Sequence, residues 1–188
     1  MKKVFVIAAL ALVCAAASAQ NYKFAHVNLQ ELIYLSPEAD QARKDLNVMN
    51  EDNQTVLEEM YNEYQQKLQA YQQKGSTWTE TVRASKEKEL QQIGERFQET
   101  QQSIQQEMQY KEQELYAPII EKATNVVNEL AKKYDVIYVF DAGTAFYVDE
   151  TKSINLTPEA RVQMNIPEGR TLETLQAELQ AQAQAQQK

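Results

Sequence analysis

LNVMNEDNQTVLEEMYNEYQQKLQAYQQKG, residues 46–75, places an apolar or aromatic side chain at Leu46, Met49, Val56, Leu57, Met60, Tyr64, Leu68 and Tyr71. Steps of three and four mark one face of a helix. Gln, Glu and Lys dominate the remaining positions. From Pro37 to Pro118 there is no other proline, no cysteine, and only two glycines, Gly75 and Gly94. An average helix runs about 11–12 residues. This stretch predicts two helices several times that length, turning once near Gly75. Beyond the turn the stripe resumes at Val82, Leu90, Ile93, Phe97, Ile104, Met108 and Leu115. Leu46–Leu57–Leu68, Met49–Met60–Tyr71 and Ile93–Ile104–Leu115 are each eleven apart. That period is about 3.67 residues per turn, so a nearly straight pair is expected, not a tight zipper.

The ends of this hairpin carry their own signals. Ser36 suits an N-cap, Pro37 the first helical position and Glu38 the first turn. A helix from Ser36 to Lys74 would be about 58 Å long. Gly75 is expected to close it as a C-terminal cap, with Ser76 or Thr77 starting the return helix. The only tryptophan, Trp78, then lies at the tip. Gly94 sits mid-helix, either as a flex point or as tolerated local destabilisation. Pro118 is expected to interrupt and kink the return helix. Past it, Ile119, Ile120, Ala123, Val126, Val127, Leu130 and Ala131 form a richer apolar face.

On either side of the hairpin lies β-material. Phe24 and His26 alternate with Ala25 and Val27 as in a strand. Asn28 and Glu31 resemble a capping box. Val136–Phe140 and Ala145–Val148 read as two strands joined by Asp141-Ala142-Gly143-Thr144 in a hairpin turn. The first is apolar throughout, so both its faces are expected to be covered, in the core or at a subunit interface. Leu156-Thr157-Pro158-Glu159 starts a further helix, and Thr171 caps a last one through Leu172, Leu175 and Leu179. The tail, residues 180–187, is Gln/Ala-rich and expected to be frayed or disordered. The expected organisation is 1–19 a signal peptide, 20–35 with 118–167 a discontinuous head, 36–117 a hairpin arm with its tip near 74–79, and 168–188 a C-terminal helix and tail.

The signal peptide follows from Met1-Lys2-Lys3, the apolar run Val4–Val13 and the small-residue exit Ala17-Ser18-Ala19. A membrane anchor is the weaker reading, because the run falls short of the roughly 20 residues a span needs. A lipoprotein reading around Cys14 is disfavoured by bulky Val13. Cleavage after Ala19 removes Cys14, the only cysteine, so disulfides and cysteine-ligated metals are not expected. Removing Lys2 and Lys3 takes the net charge from −8 to −10. Such acidity disfavours nucleic acid and anionic lipid as partners, and no integral membrane segment is expected after cleavage. Catalysis is not expected either. His26 is the only histidine and reads as structural. Asp141 and Asp149 flank the turn without a nucleophile or base partner. No phosphate loop or metal-ligand spacing occurs, so no cofactor and no metal are expected. Asn155-Leu156-Thr157 matches a glycosylation sequon, a triplet common by chance.

A thin stripe on long helices buries little apolar area, whereas ordering each residue costs roughly 1–2 kcal/mol of backbone entropy. A head this small, without disulfides, is also marginal. An oligomer with a shared head is therefore expected.

The layout resembles the OmpH/Skp family of periplasmic chaperones. The residues that carry it are Phe24-Ala25-His26-Val27-Asn28, Ser36-Pro37-Glu38, the Gln/Glu/Lys hairpin, Pro118-Ile119-Ile120 and Tyr134–Asp141. The resemblance covers the chain to about Thr157. It implies an α+β fold: a small β-rich oligomerisation head with a long antiparallel α-helical hairpin arm. It also implies a homotrimer that holds unfolded outer-membrane proteins in a cavity between coiled-coil arms, without ATP, as a step in outer membrane protein assembly. The client-binding residues expected on the arm are Met49, Met60, Tyr61, Tyr64, Tyr71, Trp78, Phe97, Met108 and Tyr110. Packing against the partner helix is the competing role, favoured for Met60 and Tyr64. The head residues expected to mediate oligomerisation are Phe24, Val27, Val136, Ile137, Val139, Phe140, Phe146 and Val148. Two features depart from the family. Glu38–Glu114 holds nine basic and sixteen acidic residues, a balance of −7, where well-known members are basic. The extension after Ile166 also lies outside the resemblance. The rival reading is a structural or adaptor protein of the cell envelope whose tip docks one folded partner.

Overall fold

The computed structural model describes residues 22–186. The expected signal peptide and Cys14 lie outside them. The chain divides into two compact units, one running up to Leu32 and resuming at Lys122, the other comprising Ile33–Glu121.

The first unit is organised around β1 (Phe24–Val27), the middle strand of a three-stranded sheet in which it pairs in parallel with β2 (Tyr138–Asp141) and β3 (Ser153–Asn155). Phe24 stands opposite Tyr138 on one edge and Ser153 on the other. Ala25 and Val27 are buried, together with Leu32, Ala123, Val126, Leu130, Leu156, Ala160, Met164 and Ile166. Helix α1 (Leu29–Tyr34) starts at Asn28, whose Oδ1 accepts from the Glu31 amide at 3.2 Å while its Nδ2 donates to Glu31 Oε1 at 3.0 Å. Asn28 thus caps the helix, but the capping box is not closed: the Asn28 backbone amide donates to Thr157 Oγ1 at 2.9 Å instead of to Glu31.

In the second unit, α2 (Pro37–Lys74) and the first part of α3 (Glu80–Tyr134) form the hairpin. Ser36 is fully buried and caps α2, its Oγ accepting from the Ala39 amide at 3.2 Å and donating to the Ile33 carbonyl at 3.0 Å. Leu35, Ala39, Ala42 and Ile119 are buried, and Tyr34 meets Tyr116 with ring centroids 5.9 Å apart. Val56 and Val82 turn outward and are exposed, so they are not part of the seam.

Several local expectations are corrected. Gly75 does cap α2, its amide donating to the Tyr71 carbonyl, but in the right-handed conformation (φ −58°, ψ −32°); it is buried and opens a 3₁₀ turn over Gly75–Thr77. Its bare Cα lies against Tyr71, whose ring would be 3.9 Å from an added Cβ. The return helix is capped by Thr79 rather than Ser76 or Thr77, with Thr79 Oγ1 accepting from the Val82 amide at 3.4 Å. Pro118 does not end the helix, which runs through it for 55 residues. Proline removes only one N–H from a ladder of strong helix formers on both sides.

Left-handed helix ends fall at Asp135 (φ 54°) and Asn165 (φ 56°). There the Val136 amide bonds the Ala131 carbonyl at 3.1 Å, and the Ile166 amide bonds the Arg161 carbonyl at 2.9 Å, the reach-back of a Schellman end.

The expected hairpin after β2 is also absent. Asp141–Thr144 does turn, with the Thr144 amide on the Asp141 carbonyl at 3.2 Å. However, Ala145–Val148 form no strand, and the chain crosses to the far edge of β1 as β3. Asp141 helps to divert it, its carboxylate accepting from Gly143 N at 3.0 Å and from Leu29 N at 3.3 Å. Strand β2 begins at Tyr138, not Val136. Ile137, Tyr138 and Phe140 are exposed, so the chain's own core does not cover both faces of this run.

Helix α4 (Thr157–Gln163) follows β3. The last helix, α5, spans Leu172–Gln186, so the Gln/Ala tail expected to fray is helical as far as Gln186. Thr171 and Thr174 cap its start reciprocally, each hydroxyl accepting from the other's amide at 3.2 and 3.0 Å.

Ser36→Ala should lower the unfolding free energy by about 1 kcal/mol, because the Ala39 amide loses its side-chain cap and the Ile33 carbonyl loses its hydroxyl donor. Urea denaturation followed by helical circular dichroism measures this; an unchanged midpoint would show that the cap is dispensable.

Candidate functional site

The hairpin is held in register by side chains that reach across it. Arg96 Nη2 lies 2.9 Å from Glu63 Oε2, and Lys67 pairs with Glu89 on the other helix. Glu89 also accepts from Lys86 Nζ at 2.8 Å. Nearer the tip, the Tyr71 hydroxyl donates to Glu87, while the Tyr71 ring meets Trp78 edge-on at 5.9 Å. The hydrogen bond from Lys67, then that from Lys86, holds the Glu89 carboxyl down to about 2. Its bond to Glu89 raises Lys67, and the bond to Glu87 raises Tyr71.

Around the Arg96–Glu63 pair the seam opens into a groove of about 260 Å³ lined by Met60, Tyr61, Tyr64, Ile93, Gly94, Phe97 and Gln98. Gly94 faces open space there. A Cβ built there would meet nothing within 4 Å. The groove brings together four of the expected client-binding residues, Met60, Tyr61, Tyr64 and Phe97. Tyr61 lies on its outer side and is 54% exposed, whereas Met60, Tyr64 and Phe97 are half-buried. Tyr71 and Trp78 pair at the tip instead. Met49 and Met108 are half-buried elsewhere on the hairpin, and Tyr110 is 69% exposed. Sequence reasoning did not select Ile93, Gly94 and Gln98 as binding residues. Ile93 was legible as a stripe position one turn before Phe97; Gln98 carried no signal.

In the first unit, Phe24 stacks on Tyr138 at 6.5 Å and 9°, and Tyr138 meets Phe140 at 6.1 Å. Phe24, Tyr138, Phe140 and Ile137 are exposed, as are Phe146 and Tyr147. Beside them is a hollow of about 510 Å³ whose walls include Phe24, Phe140, Tyr147 and Val148. Of the expected oligomerisation residues, Val27 is buried inside the chain, while Val136, Val139 and Val148 are half-buried. Tyr138 and Tyr147 were missed because Tyr in a strand reads as ordinary β-propensity.

The polar candidates serve the fold. His26 is 5% exposed, and its Nδ1 lies 2.9 Å from Ser153 Oγ. Asp149 accepts from the Thr151 amide at 3.0 Å in an Asx-type turn. Among the described residues, no cluster of three His, Cys, Asp or Glu side chains could hold a metal ion. No described helix is long and apolar enough to cross a membrane.

A family model described as outer membrane protein (OmpH-like) matches residues 23–164. A protein of Yersinia enterocolitica named chaperone protein Skp is 32% identical over 157 residues, covering 82% of this chain and 94% of its own. One of that name from Pectobacterium atrosepticum is 29% identical over 156 residues, with the same coverage. Another, from Blochmanniella pennsylvanica, is 30% identical over 125 residues, covering 66% of this chain and 75% of its own.

Glu89 ionises more readily in the folded hairpin than in the unfolded chain, so its contribution is complete above the ordinary carboxylate range. That contribution should fade as pH falls from there towards about 2, with Glu89→Gln flattening this part of the profile. Thermal melts at low salt across this range test the expectation; identical slopes for both proteins would contradict it.

Proposed function

The chain belongs to the OmpH-like family and is a chaperone of that family, and we propose from this that it is an ATP-independent holdase of the periplasm. It binds unfolded outer-membrane proteins between the helical arms of a homotrimer and prevents their aggregation. It performs no chemical step on them. The observation that carries this reading, beside the family, is the half-open groove of Met60, Tyr61, Tyr64 and Phe97. Aromatic and Met side chains adapt to many apolar shapes, which suits a binder of unfolded chains better than a binder of one folded partner. Met49, Tyr71, Trp78, Met108 and Tyr110 extend the same binding surface along the hairpin.

Trimer formation is assigned to the head. The aromatic row Phe24–Tyr138–Phe140 is exposed on a sheet whose outer strands are β2 and β3. An uncovered strand edge beside an apolar face invites pairing with another chain. Ile137, Phe146 and Val148 belong to this surface, with Val136 and Val139 beneath it.

A urea-diluted outer-membrane β-barrel protein should scatter little light in the presence of one equivalent of trimer; undiminished aggregation would refute the holdase reading. Phe140→Asp should reduce the sedimenting mass from trimer to monomer and weaken protection with it. Retention of the trimer would mean that another surface joins the subunits.

A further inference from the structure

The groove on the hairpin differs from its surroundings in charge as well as in shape. Its volume of about 260 Å³ falls below the roughly 300–1,000 Å³ of small-molecule pockets, so it has room for one or two side chains. Tyr61 on one wall and Gln98 on the other leave it open to solvent. The stretches that form it, 58–64 and 91–99, contain Glu58, Glu59, Glu63, Glu95 and Glu99 against one base, Arg96. Arg96 is engaged by Glu63 at 2.9 Å, and Lys67, on the next turn, is engaged by Glu89. Both of these cations are therefore already engaged. Glu58 stands one turn before Tyr61, and Glu95 one turn before Gln98, so helical spacing sets each carboxylate beside a groove wall. Among the described residues, Glu95 accepts from a neutral amide, Gln91 Nε2 at 2.8 Å, and has no ion-pair partner.

We propose that this groove captures an aromatic or long aliphatic side chain from an unfolded segment in which that residue is flanked by Lys or Arg. The inference rests on the holdase reading and names the class of segment the holdase selects. The apolar side chain fills the space that Gly94 leaves open. Its basic neighbours reach the carboxylates on either side. Lys and Arg suit this because their aliphatic stems lie along apolar surface while their heads remain hydrated. Segments flanked by Asp or Glu meet like charge at the same positions and are disfavoured.

Two unstructured peptides of identical apolar core test this, one flanked by Lys and one by Glu, each titrated against the full mature chain by fluorescence anisotropy. The Lys-flanked peptide should bind about fivefold more tightly at low salt, and the difference should shrink as salt screens it. Gly94→Leu, which fills the groove, should weaken the Lys-flanked peptide about tenfold. It should leave helical circular dichroism intact, since leucine is the better helix former. Glu58→Gln with Glu95→Gln should narrow the preference between peptides without removing binding. Equal affinity of the wild type for both peptides, alongside normal suppression of aggregation, would overturn this inference and leave the holdase reading standing. Failure of both peptide binding and suppression would overturn the two together. A Gly94→Leu protein that keeps its peptide affinity would place the binding site elsewhere. One that instead changes its sedimenting mass would identify the groove as a contact between copies of this chain.

Discussion

Both edges of one four-residue strand are bonded to segments more than a hundred residues away, and the rest of the chain is arranged around that constraint. The Lys23 carbonyl accepts from Ile137 at 3.0 Å and the Val27 carbonyl from Ala142 at 2.8 Å. On the other edge, the His26 carbonyl accepts from Leu156 at 2.9 Å. Parallel pairing requires a crossover, and here the connection from β1 to β2 is the whole run through α2 and α3. Loop-closure entropy rises slowly, by about 0.6 kcal/mol per doubling of length. A long helical insertion therefore adds little to the entropy of pairing its ends. This lets the hairpin be as long as function requires without dismantling the sheet.

The hairpin follows a different physical rule. Its helices gain stability from strong helix formers and from a narrow apolar seam, closed locally by cross-helix pairs such as Arg96–Glu63. Exposed ion pairs contribute little each, on the order of 0–1 kcal/mol. A seam this thin cannot fully cover its own aromatics, and it stands open where Gly94 lines the groove. The scarcity of apolar residues that weakens the hairpin as a core thus makes its side chains available to another chain. In the proposed reading its acidity then selects among chains, because an acidic surface repels acidic flanks and attracts basic ones.

How legible these features were depended on the range of the interactions behind them. Helix α2 is specified by neighbours three and four residues apart and by Ser36 and Pro37, so its start and its end at Lys74 could be read directly. The pairing of β2 and β3 with β1 rests on contacts no local pattern encodes. The continuous apolar run 136–140 carried a parallel-strand signal, but the turn residues after it suggested a hairpin. Ser153-Ile154-Asn155 has almost no strand signature and pairs because β1 offers a free edge. At the groove, the aromatics were visible as residue types, but their convergence around Gly94 was not. A glycine in a helix reads as weakness until the facing helix shows which space it leaves empty.

The amino-acid sequence by itself determined the two long helices, their turn near Gly75, the N-caps at Asn28, Ser36 and Thr171, the acidic surface and the family. All of these arise from short-range periodicity, from capping or from composition. Only the tertiary structure decided the parallel sheet, the passage of α3 through Pro118, the left-handed ends at Asp135 and Asn165, and the gathering of Met60, Tyr61, Tyr64 and Phe97 into one groove. Those outcomes turn on which distant backbone edge or facing side chain is within reach, and that becomes definite only once the chain has folded.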